Sequence, residues 1–143
     1  MKNIKGIILT KNKKFLNDDG NVFHGMRKSD NGYTDFNEIY FSFIKKNHIK
    51  AWKIHKKMTL NIIVPVGSIH FNFIDLRENS ETFKCRMELS LSVHNYIRVT
   101  IPPRICFGFS FSDFFCVLHW ICIEISRNLT HKSRLELHSG VHL

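Results

Sequence analysis

The stretch from Ser68 to Leu76, SIHFNFIDL, sets Ile69, Phe71 and Phe73 at alternate positions, with Ser68, His70 and Asn72 between them. A period of two is that of a β-strand with one apolar and one polar face, so the aromatic side requires a second layer to cover it. Comparable short runs follow one another along the chain: Glu38 to Phe43, Met58 to Pro65, Arg86 to Leu91, Arg98 to Ile101, Ile105 to Phe109 and Phe115 to Ile125. Each is rich in β-branched and aromatic residues and bounded by Gly, Asn, Asp, Ser or Pro. No stretch carries the period of an amphipathic helix. Strands at this density predict an all-β sandwich or barrel.

A chain of 143 residues with 43% hydrophobic residues can bury one sizeable core and is expected to form a single domain. Residues 1–37 are expected to form an N-terminal segment that wraps the barrel or meets a second subunit, 38–125 the barrel core, and 126–143 a tail. Lys and Arg number 21 against 12 Asp and Glu, a formal charge of +9, which attracts anions such as phosphates. The cations are scattered as Lys11, Lys13 and Lys14, then Lys45 and Lys46, Lys50 and Lys53, and Lys56 and Lys57. Without a basic arm or arginine-rich helix, nucleic acid is not the expected partner. The apolar run at the N-terminus, MKNIKGIILTKNKK, is too short for a signal-peptide core. Ile105 to Ile125 is interrupted by Asp113, His119 and Glu124 and reads as two buried strands joined by a turn, not a membrane span. Cys85, Cys106, Cys116 and Cys122 form no CxxC pair, and reduced thiols point to the cytoplasm.

From Ile49 to Phe109 the spacing resembles that of a cupin, a double-stranded β-helix or jelly-roll barrel. A metal-binding cupin spaces its ligands as HxH, four residues, Glu, six residues, Gly, followed later by PxGxxH. Here Lys53, Ile54, His55, then Leu60, then Gly67 keep the first spacing, and Pro102 to Phe107 keep the second. Lys replaces the first His, Leu the Glu, and Phe the last His. Only His55 retains a ligand side chain, and a single imidazole does not hold a transition metal, so no metal and no other cofactor is expected.

Two further motifs are more specific. IDLRENSETF, from Ile74 to Phe83, is similar to DxRxxSxTF, and LSVHNYIRVTIPPRICFGF, from Leu91 to Phe109, is similar to LSxENxxxxxIPxGxAHGF. Both belong to the dTDP-4-dehydrorhamnose 3,5-epimerases, metal-free cupins that act on nucleotide sugars, and the resemblance spans about residues 38 to 125. It implies proton abstraction beside the ketone of a dTDP-4-keto-6-deoxyhexose, in surface polysaccharide or deoxysugar biosynthesis, by a homodimer. It also implies a changed site. The family's base His, in RGLH, corresponds to Lys53 in KAWK; its catalytic Tyr falls near His119; its Lys before the turn corresponds to Leu60, and its His in AHGF to Phe107.

The candidate catalytic residues are therefore Lys53, His55 and His119, and the candidate substrate-binding residues are Lys50, Trp52, Arg77, Arg27 and His70. Lys53 and His55 alternate on one strand face, which the motif spacing turns inward. As a base, Lys53 needs burial or a neighbouring cation to lower its pKa; protonated, it would hold an oxyanion or a phosphate. The alternative for Lys53 is a solvated strand lysine, for His55 a surface histidine, for His70 a polar-face histidine, and for His119 a core histidine. Trp52 either stacks on a base or sugar or packs in the core. Arg77 either supports the site or pairs with Asp75 or Glu78, and Arg27 binds a phosphate, across a dimer, or sits in a surface loop. Three functions follow: a sugar-nucleotide epimerase or isomerase, a non-catalytic module that binds a sugar nucleotide or pathway partner, and a basic barrel that binds nucleic acid.

Overall fold

The aromatic side of the Ser68 strand is covered as its alternation requires. A computed structural model describes residues 3–36 and 38–111, and among these residues the regular elements are all strands. They are β1 (Ile8–Lys11), β2 (Lys14–Asn17), β3 (Gly20–Phe23), β4 (Ile49–Ile54), β5 (Leu60–Ile62), β6 (Ser68–Asp75), β7 (Arg86–Ser92), β8 (Ile97–Ile101) and β9 (Ile105–Ser110). One sheet runs β4-β9-β6-β7 and the other β1-β8-β5, with β2 and β3 forming a separate hairpin. Every pairing is antiparallel. From β4 onward the chain crosses repeatedly between the two sheets, which is the jelly-roll pattern.

The core lies between the sheets. Ile69, Phe71 and Phe73 of β6 are buried beside Met87 and Leu91 of β7 and Phe107 and Phe109 of β9. Leu60 and Ile62 of β5 and Val99 and Ile101 of β8 belong to the same buried cluster. Burying one such side chain contributes about 1.5–3 kcal/mol, so this cluster is the main source of stability. Gly67, at φ 77, makes the turn from β5 into β6 that the motif spacing predicts for it.

The opposite face of the smaller sheet is polar yet buried. Arg98, 1% exposed, donates from Nη1 to Gly25 O and to Asp30 Oδ2, both at 3.1 Å, and from Nη2 to Asn31 O at 2.9 Å. Thr100 donates to Asn61 Oδ1 at 2.5 Å, and Asn61 Nδ2 donates to Gly32 O at 3.2 Å. Asn12 Nδ2 donates to His24 O and Gly25 O at 2.9 and 2.7 Å. The segment from His24 to Gly32 is thus fastened across the outside of β8 and β5 by side chains that strand alternation alone would leave in solvent.

Two expectations change. Glu38 to Phe43 is not a strand; only Glu38 takes part in an isolated bridge, and Ile39, Phe41 and Phe43 are exposed. β-branched and aromatic residues favour a strand where neighbours bury them, and these three side chains stay 46–53% exposed. Conversely, β1 lies within residues 1–37 yet pairs with β8 from Ile8↔Thr100 to Lys11↔Ile97, so the barrel sheet begins well before residue 38. The expected strand from Phe115 to Ile125 lies outside the described residues.

Candidate active site on the inner face of the larger sheet

Among the described strands β4 is one edge of the larger sheet, and its register decides where its cations point. Lys53 pairs with Phe107, which pairs in turn with Phe73; Lys50 pairs with Phe109, which pairs with Phe71. Residues in register across an antiparallel sheet share a face. Phe73, Phe107, Phe71 and Phe109 are buried in the core cluster, so Lys53 and Lys50 lie on the inner face of the sheet. The register shifts between Lys50 and Lys53, a bulge that lets both lysines keep that face although three positions separate them. The Ala51–Trp52 peptide bond within it is cis. Gly108 permits the close approach of the two strands, since a Cβ there would stand 2.6 Å from Ala51 Cβ.

The geometry is that of cations beside an aromatic floor. Lys53 Nζ stands 5.5 Å from the centroid of the Phe109 ring, and the His55 ring stacks on Phe107 at 6.1 Å and 25°. Phe71 lies 5.3 Å from Phe109 and 5.9 Å from Phe73, and Phe73 6.4 Å from Phe107, so the four rings are continuous. Lys53 and His55 are half-buried. His55 O accepts the backbone N–H of Arg104 at 2.8 Å, which fixes the end of β4 against the turn into β9. Lys50 reaches the other way, donating from Nζ to Phe43 O at 2.5 Å and Ser42 Oγ at 3.2 Å, and ties the 38–44 segment to the edge of the sheet. A protonated amine and an imidazole on this floor can bind an anionic or oxyanionic group and exchange protons with it.

The remaining predicted residues fall elsewhere. His70 is on the opposite face of β6, where Nδ1 lies 3.1 Å from Ser90 Oγ and Nε2 3.6 Å from Glu88 Oε2. The strand alternation that buries Ile69, Phe71 and Phe73 turns His70 outward, so it does not join Lys53 and His55. Arg27 sits in the segment that covers the outer face of the smaller sheet and donates from Nε to Asp30 Oδ1 at 3.2 Å, away from the inner face of its own barrel. Trp52 is half-buried within the bulge. His119 lies outside the described residues.

Arg77 takes the ion-pair alternative. Asp75, fully buried at the end of β6, accepts from Arg77 N at 3.0 Å, Arg77 Nε and Nη2 at 2.8 Å, and Ser80 Oγ and Thr82 Oγ1 at 2.7 Å. Burial alone would raise the Asp75 carboxyl, but the hydrogen bonds from Arg77, Thr82 and Ser80 outweigh it and hold the group well below the usual carboxylate range. Arg77 Nη2 also donates to Lys5 O, joining the turn to the N-terminal segment. The D, R, S and T of the DLRENSET motif are thus the members of one buried polar knot. Among the described residues no group of three His, Cys, Asp or Glu side chains is placed to hold a metal ion. Nor is any helix among them long and apolar enough to cross a membrane. Cys85 and Cys106 are free thiols, and burial pushes the Cys106 thiol up to about 11.

No protein-family model and no curated protein matches the chain. Solved structures do. A dTDP sugar isomerase from Desulfovibrio desulfuricans G20 superposes with a TM-score of 0.83 at 29% identity, over 92% of this chain and 82% of that one. The dTDP-4-dehydrorhamnose 3,5-epimerase of Bacillus anthracis, crystallised with TDP and PPi, gives 0.77 at 23% identity over 94% and 79%. A dTDP-6-deoxy-D-glucose-3,5-epimerase from Legionella pneumophila, in complex with dTDP-4-keto-L-rhamnose, gives 0.73 at 19% over 93% and 72%. The chain is a structural relative of the dTDP-4-dehydrorhamnose 3,5-epimerases and dTDP-sugar isomerases, built on the same cupin-type barrel.

Proposed function

We propose that this protein is a sugar-nucleotide epimerase or isomerase that takes a dTDP-linked 4-keto-6-deoxyhexose and moves a proton at a carbon beside the ketone, in surface polysaccharide or deoxysugar biosynthesis. The observation that carries this reading is the placement of Lys53 and His55 side by side on the inner face of the larger sheet, against the rings of Phe107 and Phe109. The aromatic floor supports a sugar ring or base, and Lys53 supplies charge for a diphosphate or a developing enolate. Lys53 and His55 provide the groups that exchange protons with the substrate. The test is solvent exchange: in heavy water, a dTDP-4-keto-6-deoxyhexose should gain deuterium at carbon 3 or carbon 5, followed by proton NMR. Binding without incorporation across a panel of such sugars refutes turnover.

A second reading has its own support. Leu60 and Phe107, at 1% and 2% exposure, are buried apolar residues where the resemblance places a Lys and a His. A barrel that binds a sugar nucleotide without turning it over accounts for both, and the same exchange experiment separates the two readings.

We also propose a single-domain protein of the cytoplasm that works as a homodimer. Phe36, Ile39, Phe41, Phe43 and Ile49 are all exposed along one segment, and a second copy is the surface that would cover them. Arg27, held by Asp30 over the outer face of the smaller sheet, is then positioned to serve the partner's barrel and not its own. Sedimentation equilibrium should return twice the chain mass, and Phe41→Asp should return the monomer; a wild-type monomer at tens of micromolar refutes the assembly.

A further inference from the structure

Lys53 has a chemistry open to it that an imidazole in its place would lack. A primary amine adds to a ketone, and a lysine does so where apolar walls replace its hydration. Its Nζ lies 5.5 Å from the Phe109 centroid, on a floor continued by Phe71, Phe73 and Phe107. The imidazole of His55, two residues on and just past the end of β4, stacks on Phe107. The buried carboxylate of this sheet, Asp75, is engaged by Arg77, Ser80 and Thr82. Lys53 of β4 and His55 just past its end thus set an amine and an imidazole beside these rings.

We propose that Lys53 forms an imine with the ketone of the sugar nucleotide and that epimerisation runs through the iminium; this inference rests on the epimerase reading above. The Lys53 nitrogen attacks the ketone carbon to give a carbinolamine. His55, protonated, passes a proton to the departing hydroxyl, and water leaves as the C=N bond forms. His55, neutral after that transfer, takes a proton from the adjacent carbon, and the electron pair of the broken C–H bond flows into the iminium nitrogen to give an enamine. A solvent water on the opposite face reprotonates that carbon and restores the iminium with inverted configuration, and the hydroxide so formed adds to the C=N carbon, returning the ketone and the free amine. No electrons are gained or lost overall, and the water released is the water consumed.

The experiment incubates the full-length protein with a dTDP-4-keto-6-deoxyhexose and sodium borohydride, then measures intact mass and maps the modified peptide. Hydride adds to the iminium carbon, so the expected adduct has the mass of the sugar nucleotide less one oxygen and maps to Lys53. A dTDP-sugar without a ketone should leave no adduct. Lys53→Arg, which keeps the charge but cannot form the imine, should lose the adduct and at least a hundredfold in deuterium exchange, while circular dichroism reports whether it folds. Exchange that proceeds with no adduct, or that survives in Lys53→Arg, overturns the imine and leaves the epimerase reading intact. An adduct on Lys53 without exchange keeps the imine and removes the epimerisation. With neither adduct nor exchange, both fall.

Discussion

Asp75→Asn tests whether the DLRENSET turn holds the barrel together as its geometry implies. Asparagine matches aspartate in shape but removes the charge and turns an amide NH2 toward one side of a ring of donors. Five hydrogen bonds converge on the carboxylate, from the backbone N, Nε and Nη2 of Arg77, Ser80 Oγ and Thr82 Oγ1. Removing one member of a buried ion pair costs about 3–5 kcal/mol. Because the Arg77 side chain is 24% exposed, water takes up part of its orphaned charge, and the expected loss is about 2–4 kcal/mol. For a domain of this size that lowers Tm by about 6–15 °C. Urea melts at pH 7 measure it as a fall in midpoint at unchanged slope. The sign with pH follows from the depressed pKa of the Asp75 carboxyl. Its contribution is fully present above the unfolded value of about 3.9 and is lost as pH falls toward the folded one, so the gap between wild type and Asp75→Asn should narrow below about pH 5. A loss under about 1 kcal/mol at pH 7, or a gap that stays flat down to pH 2.5, refutes the reasoning.

The clamp on the outer face behaves alike. The Asp30 carboxyl is lowered to about 2, chiefly by the backbone N–H of Arg27 and further by Arg98, so its stabilisation should fade as pH drops from about 4 through 2. Asp30→Asn strands the charge of a 1% exposed arginine, and an expected loss of about 2–4 kcal/mol should appear in urea melts together with faster hydrogen exchange over residues 24–32. Arg104, where the motif has glycine, still holds φ 66. Left-handed backbone costs a side-chain-bearing residue about 1–2 kcal/mol, against about 0.5–1 for glycine's extra unfolded freedom, so Arg104→Gly should raise stability by about 0.5 kcal/mol and Arg104→Val should lower it. Thermal melts of the pair check the order.

What the sequence disclosed follows from where its patterns are local. The alternation of Ile69, Phe71 and Phe73 reports one strand's two faces, and it predicted the outward turn of His70 and, through motif spacing, the inward face of Lys53 and His55. The Glu38–Phe43 run misled because its apolar residues read as strand whether or not a partner lies alongside. Strands β1 to β3 went unread because each is only four residues long and set among charged and polar residues, although Asp18-Asp19-Gly20 between Phe15-Leu16 and Val22-Phe23 is a hairpin signal. Arg98, buried within IRVTI, and its partners Asp30 and Gly25 are joined across long sequence separations that no single-sequence pattern records. A lone charge in an otherwise apolar strand was the available hint. The ring floor of the candidate site was similarly scattered: Phe71, Phe73, Phe107 and Phe109 read as core residues, and only the register of β9 shows that they also face Lys53.

If Lys53 and His55, on that floor, move a proton beside a ketone, the protons at carbons 3 and 5 of a dTDP-4-keto-6-deoxyhexose report it when followed in heavy water by NMR, with wild type and with Lys53→Ala. The account predicts deuterium incorporation by the wild type and a loss of at least a hundredfold in the variant, equivalent to about 2.7 kcal/mol in the barrier. Incorporation that is undiminished in a folded Lys53→Ala, or none from wild type that binds the sugar nucleotide, would contradict it.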